Sequence, residues 1–278
     1  MIKYYEIYRK GENMRFFFDK KESTVNFGLQ EDSVFFYSET DSTNTRAKEA
    51  FLSFKSKAAS MLFVAEKQTA GRGTRGRSFH SSGDTGLWFS LLYIPDSENF
   101  DSAALTPAAA AAVIEALDEV LGKDATNGFY IKWVNDIFFE KRKVCGILSE
   151  RVCRGDGLVG YIIGIGINLF FSKDLPDDIQ NIAISVEEAA GKRIDKALLL
   201  SSVLRRLFGY LNGQNREKLY SAYAERSMKK GTPITLTDGL GRVRRALFAG
   251  IDSDFRLIAE YENGERESLV SADVSVRP

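Results

Sequence analysis

The chain has 278 residues, 44% apolar and 27% charged, the balance of a globular protein with one full core and a small second unit. Lys plus Arg and Asp plus Glu are both 38, so no global field draws the molecule to nucleic acid or anionic membrane and any basic function is local. The longest apolar runs, such as YIIGIGINLFF, are too short for a membrane span, and MIKYYEIYRK lacks the apolar region of a signal peptide; the expected compartment is the cytoplasm, with no membrane partner.

Residues 1–32 alternate apolar and charged positions in IKYYEIY and MRFFFD, which predicts a short strand extension ahead of the main unit. SVFFYSE reads as a strand, and TDSTNTRAKEAFLSF supplies capping residues followed by helical spacing of Ala47, Phe51 and Phe54. The strand MLFVAE leads into GRGTRGR at residues 71–77, and GLWFSLLYI is a second strong strand. LTPAAAAAVIEALDEVLG predicts a helix with Pro107 in its first turn and Gly122 at its end.

FYIKW, DIFFE, VCGILSERV and LVGYIIGIGINLF follow as strands joined by the tight turns EKRK and RGDG, a spacing that favours antiparallel pairing over helical crossovers. Cys145 and Cys153 fall in this region; with one histidine they can build neither a disulfide framework nor a zinc site, so both are expected to be reduced core thiols. Helices resume in ISVEEAAG, DKALLLSSVLRRLFGYLNG and REKLYSAYAERS. After KKGTP, short strands (ITLT, RRALFAGI, FRLIAEY) separated by Gly, Asp and Asn predict a small β-barrel of SH3 size. The expected architecture is α+β, with a main unit over 1–230 and the barrel over 231–278.

The glycine-arginine loop carries the first functional signal. Gly71, Gly73 and Gly76 satisfy G-x-G-x-x-G after a strand, yet RSFHSSGDTG follows with no helical period, which argues against a dinucleotide fingerprint; no G-K-[ST] closes a Walker loop. A solvated loop adhering to any polyanion would call for repeated RG units or net basic charge, and neither is present. What remains is a loop whose glycines bring backbone N–H groups close to a ligand while its arginines offer forked donors, suited to a small carboxylate or phosphate anion.

Other polar groups gather at predicted element ends. DSTN sets Ser42, Thr43 and Asn44 at a helix start, where capping alone would explain Ser42 or Thr43. IKWVND sets Lys132, Asn135 and Asp136 at a strand end, where an Asp usually serves the turn. KRKVCGILSE sends Lys143 into an apolar strand with Gly146 three residues on, and GIGIN offers Gly164, Gly166 and then Asn168. Together these outweigh the bland readings of each.

The ordered set DSTN, AEKQTAGRGTRGRSF, GLWFSLLY, KWVND, KVCGILSE and IGIGINL resembles the biotin-protein ligases over roughly residues 33–170, and the C-terminal barrel matches that family's usual ending. The resemblance implies the class II synthetase-like biotin/lipoate ligase fold, a mixed and mainly antiparallel sheet backed by helices. It implies ATP-dependent conversion of biotin to biotinyl-AMP and transfer to a lysine of a biotin carboxyl carrier domain, with ATP and Mg²⁺ and no tightly bound prosthetic group. By it, Ser42, Thr43, Asn44 and Gln68 bind the biotin ring system, and Gly71, Gly146 and Gly164 lie close to biotin. Arg72 and Lys143 hold the carboxyl and α-phosphate oxygens. Arg75, Arg77 and Phe79 belong to a loop that closes over the nucleotide, with Asn135 and Asn168 near it. Asp136 has two alternative roles, a magnesium ligand or the group that orients or deprotonates the carrier lysine.

Two departures stand out: the family often carries a second arginine where this chain has Thr74, and proline where it has Val134. The first bears on retention of the activated intermediate, with Arg75 as the alternative cation. The R-R-x-S-G-G-G loop of lipoate ligases is absent, and the roughly thirty residues before the ligase region read as strands, too short for a helix-turn-helix, so no DNA binding is expected. The assembly expected is a monomer or homodimer. His80 is expected to be exposed, and Trp88 and Trp133 to be core aromatics.

Overall fold

Strands with apolar residues on both faces must be covered on both sides, and that requirement organises this molecule. The computed structural model describes residues 29, 33–53, 59–81, 83–97, 100–171, 177–213, 215–270 and 272–276. The expected N-terminal strand extension and Phe54 lie outside these residues.

Seven strands form one sheet: β1 (Val34–Thr40), β2 (Met61–Gln68), β3 (Gly86–Tyr93), β4 (Phe129–Lys132), β5 (Asp136–Phe139), β6 (Arg142–Cys153) and β7 (Val159–Asn168). Their order is β1-β2-β3-β7-β6-β5-β4. Only β1 and β2 are parallel, joined across α1 (Thr43–Ser53); each other neighbouring pair is antiparallel, as the short turns require. Strand parity divides the core. Leu62, Val64, Phe89, Leu91, Ile163 and Ile165 face one side, with α2 (Leu105–Leu121). Met61, Phe63, Leu92 and Ile162 face the other, where Ala47 and Phe51 of α1 cover them.

The alanine run of α2 has a packing purpose. Ala108 to Ala112 are each at most 1% exposed, so the helix is buried nearly all round between the sheet and α5 (Lys196–Gly213). Gly122 ends it at φ 88°, with its N–H on Asp118 O at 3.0 Å. Between β7 and α5 lie the short helices α3 (Asp177–Gln180) and α4 (Val186–Ala190), the latter capped by Ser185. α6 (Arg216–Glu225) starts on Asn215, which accepts from Lys218 N at 2.8 Å. The chain after α6 then runs along β4, with Ile131 N on Arg226 O at 2.7 Å and Met228 N on Ile131 O at 3.0 Å, closing that sheet edge.

The C-terminal strands β8 (Thr232–Thr237), β9 (Val243–Ile251), β10 (Leu257–Glu260), β11 (Arg266–Leu269) and β12 (Asp273–Ser275) make a second, antiparallel sheet in the order β11-β10-β9-β8-β12. Gly231, at φ 83°, turns the chain into it. Trp133, 7% exposed, donates Nε1–H to Phe255 O at 2.7 Å, and Tyr223 donates to Val134 O at 3.2 Å; the segment after β4 is thus tied both to α6 and to the second sheet. Trp88 is buried as well, so both tryptophans are core residues.

One cysteine departs from expectation. Cys145 is buried, but Cys153 is exposed, because it shares a face of β6 with exposed Arg151 while Val152 turns inward. Both thiols are free, and burial pushes that of Cys145 up from its usual range. No helix among the described residues is long and apolar enough to cross a membrane. Since Ala110 is fully buried, Ala110→Leu is expected to cost about 1–3 kcal/mol; urea unfolding would register this as a lower midpoint at unchanged slope.

Candidate active site

A cleft of about 420 Å³, open at its mouth, lies at one end of β2, β6 and β7 beside the start of α1. Its floor is bare backbone. Gly146 of β6 stands directly opposite Gly166 of β7, and Gly164 opposite Leu148. A Cβ on Gly166 would come within 2.6 Å of the Phe79 ring, one on Gly146 within 2.8 Å of it, and one on Gly164 within 2.1 Å of Asn44 Oδ1. These glycines are absent side chains that let Phe79 and Asn44 settle against the strands.

One wall is a buried polar chain. Gln68 Oε1 accepts from Thr43 N at 2.8 Å, and Gln68 Nε2 donates to Ser81 Oγ at 3.0 Å. Ser90 of β3, fully buried, lies 2.7 Å from Thr43 Oγ1 and donates to Asn44 Oδ1 at 2.6 Å. Asn44 Nδ2 in turn donates to Glu150 Oε2 at 2.8 Å. Each amide is thereby fixed in orientation before any ligand arrives.

The glycine-arginine loop is a short hairpin: Gly73 N reaches Arg77 O at 2.7 Å and Phe79 N reaches Gly71 O at 2.8 Å. Arg75 sits in the left-handed region (φ 57°, ψ 34°) at its tip. Gly71 is required by crowding, since a Cβ there would meet Phe79 O at 2.4 Å.

Four cations of the site have carboxylate partners. Arg72 meets Glu150 through NH2 and Oε1 at 3.1 Å, and Lys143 Nζ meets Asp136 Oδ1 at 2.8 Å. Arg75, at 3.5 Å, and Arg77 both engage Asp273 of β12. Lys132 stands across the β4–β5 ladder from Asp136; burial lowers its ammonium pKa, Asp136 and Asp273 oppose that shift, and Lys143 and Arg77 add to it. Asn135 Nδ2 bonds both Asp136 and Ile147 O at 3.0 Å, and Asn168 donates to Lys143 O at 3.2 Å, so both amides brace strands as well.

Of the residues singled out from sequence, Ser42, Thr43, Asn44, Gln68, Arg72, Phe79, Asn135, Lys143, Gly146 and Gly164 line this one cleft. Gly71, Asp136 and Asn168 stand behind it, while Arg75 and Arg77 turn toward the second sheet. His80 is exposed, as expected.

A sequence profile of the Biotin/lipoate A/B protein ligase family matches residues 36–168, and one of the Biotin protein ligase C terminal domain matches 231–277. The bifunctional ligase/repressor BirA of Bacillus subtilis is 33% identical over 274 residues, with 92% of this chain and 78% of the relative covered. The chain belongs to the biotin/lipoate A/B protein ligase family. Biotin--[acetyl-CoA-carboxylase] ligase of Paracoccus denitrificans is 30% identical over 84% of this chain and 97% of that one. Among solved structures of the ligases, that of biotin protein ligase from Aquifex aeolicus in complex with biotin and ATP superposes with a TM-score of 0.71 at 27% identity, over 88% of this chain and 98% of that chain.

Sequence reasoning about this ligase missed Ser90, Glu150 and Asp273. Ser90 had a signal, a hydroxyl amid the apolar GLWFSLLY; the two acids had none, because their partners are 78 and 196 residues away. Gly164→Ala is expected to destabilise the ligase by about 1–3 kcal/mol, and most of that loss should vanish when Asn44 is also alanine. Additive costs in a urea double-mutant cycle would contradict the contact.

Proposed function

We propose that the protein uses ATP to convert biotin to biotinyl-5'-AMP and then passes the biotinyl group to a lysine of a biotin carboxyl carrier domain. The observation that carries this reading is the convergence of Arg72 and Lys143 on a glycine-floored cleft whose far wall is a pre-oriented set of amides and hydroxyls. One end of such a cleft suits an anion and the other a neutral ring bearing hydrogen-bonding groups. The solved relatives with biotin and ATP bound support the same assignment of substrates.

In the first step an oxygen of the biotin carboxylate attacks the α-phosphorus of ATP and pyrophosphate leaves. The carboxylate is ionised at neutral pH, so no general base is needed; the requirement is to hold two anions together while charge builds on phosphate oxygens. Arg72 and Lys143 are the groups suited to that task. Ser42, Thr43, Asn44 and Gln68 would bind the ring system, with Gly71, Gly146 and Gly164 leaving room for it. Phe79, Arg75 and Arg77 would cover the nucleotide, with Asn135 and Asn168 beneath, and exclude water from the mixed anhydride. Thr74, also lining the cleft, contributes no charge there. In the second step the neutral carrier amine attacks the acyl carbon and AMP leaves.

Among the described residues no group of three or more His, Cys, Asp or Glu could hold a metal alone. Asp136 fits as a single carboxylate toward magnesium brought in on the nucleotide, where the ion would neutralise phosphate charge. Its contact with Lys143 supports a positioning role for the same carboxylate. We assign residues 1–230 to this chemistry and 231–278 to a C-terminal unit that anchors the loop through Asp273.

Purified protein with Mg-ATP is expected to release pyrophosphate when given biotin and not when given lipoate, and Lys143→Ala should lower that rate by about a hundredfold or more. Release with lipoate alone would refute the substrate. Asp136→Asn separates its two roles: transfer lost with adenylate formation intact favours action on the carrier amine, and equal loss of both favours magnesium.

A further inference from the structure

Glu150 is an acid bonded to two residues that line a cleft read as receiving an acid. Its Oε1 accepts from Arg72 at 3.1 Å, and its Oε2 accepts from Asn44 at 2.8 Å and from Arg72 at 3.4 Å. Its side chain is 24% exposed against 47% for Arg72, and it is tied to the cleft lining through Asn44 as well as Arg72. The steps above give Glu150 nothing to do, and a negative charge beside an incoming carboxylate opposes binding. Yet the paired N–H groups that Arg72 presents to Glu150 are those a planar carboxylate would take. Two carboxylates cannot fill one fork.

We propose that Glu150 is a positioning residue that stands in for the substrate carboxylate. It holds the Arg72 guanidinium at the cleft while the site is empty and yields it to the carboxylate of biotin, keeping its own bond to Asn44. The inference rests on the reading of Arg72 as the ligand of that carboxylate. Arg72 belongs to a loop rich in glycine, and without Glu150 its long side chain would have to be ordered by each arriving ligand. With Glu150, ordering precedes binding and the substrate exchanges one like charge for another. Ground-state affinity for the carboxylate is therefore lower than a free arginine would give, which leaves Arg72's interaction available as charge builds on the phosphate.

The test compares biotin with its primary alcohol, in which CH₂OH replaces the carboxylate, by calorimetry on the wild type, Glu150→Gln and Glu150→Ala, each confirmed folded by thermal unfolding. The readout is the ratio of the two dissociation constants, alcohol over acid, which cancels any loss common to both ligands. Both substitutions are expected to raise that ratio by about tenfold, and the rise should be clearly smaller in an Arg72→Gln background, where only the direct repulsion between the two acids is relieved. An unchanged or lowered ratio, or the same rise without Arg72, overturns the proposal while the ligase reading stands. Failure of biotin to bind the wild type overturns both.

Discussion

The register of β6 against β7 is the constraint on which the site depends. It sets Gly146 opposite Gly166, and Trp88 and Ser90 of β3 opposite Gly166 and Gly164 on the other side. Two strands in the middle of a buried sheet therefore present backbone at three of the four paired positions Gly146, Leu148, Gly164 and Gly166, with Leu148 as the one side chain. A slip of one residue would turn isoleucines of the GIGIN run into the cleft and glycines into the core. The parity that fills the core with Ile163, Ile165 and Ile167 is the same parity that empties the cleft.

Onto that floor the chain brings four charges from three elements, and it does so in pairs. Arg72 comes from the loop and Glu150 from β6; Lys143 from the start of β6 and Asp136 from β5. Half-buried charges of one sign would repel and pull the loop outward, whereas alternating signs hold it near the strands. Exposed pairs of this kind add little stability, so their value is geometric. They fix where each cation is before a ligand competes for it.

Much of this was legible in the chain because it is local. The apolar run in GLWFSLLY, the capping residues of DSTN and the closely spaced turns gave the strand and helix order and, with the motifs, ten residues that line one cleft. Ladder partners, cross-loop acids and the face on which Cys153 falls depend on contacts between residues far apart in the chain, to which periodicity is blind. Asp273 illustrates this best: one acid in a three-residue strand carries no pattern, and only the packing of the second sheet against the loop gives it two arginines. Glu150 was hidden differently, since an acid at a half-exposed strand position is unremarkable until Arg72 and Asn44 are found around it.

The C-terminal sheet touches the first unit at particular atoms: a carbonyl at Phe255 for Trp133, and the carboxylate of Asp273 for Arg75 and Arg77. A recombination point near Gly231 is therefore less permissive than its glycine turn suggests. A chimaera that took this unit from a relative would keep its folds and lose its fit unless the donor carried an acid where Asp273 stands. Shuffling of such units within the family is thus constrained by single side chains such as Asp273, which stands in a strand of three residues.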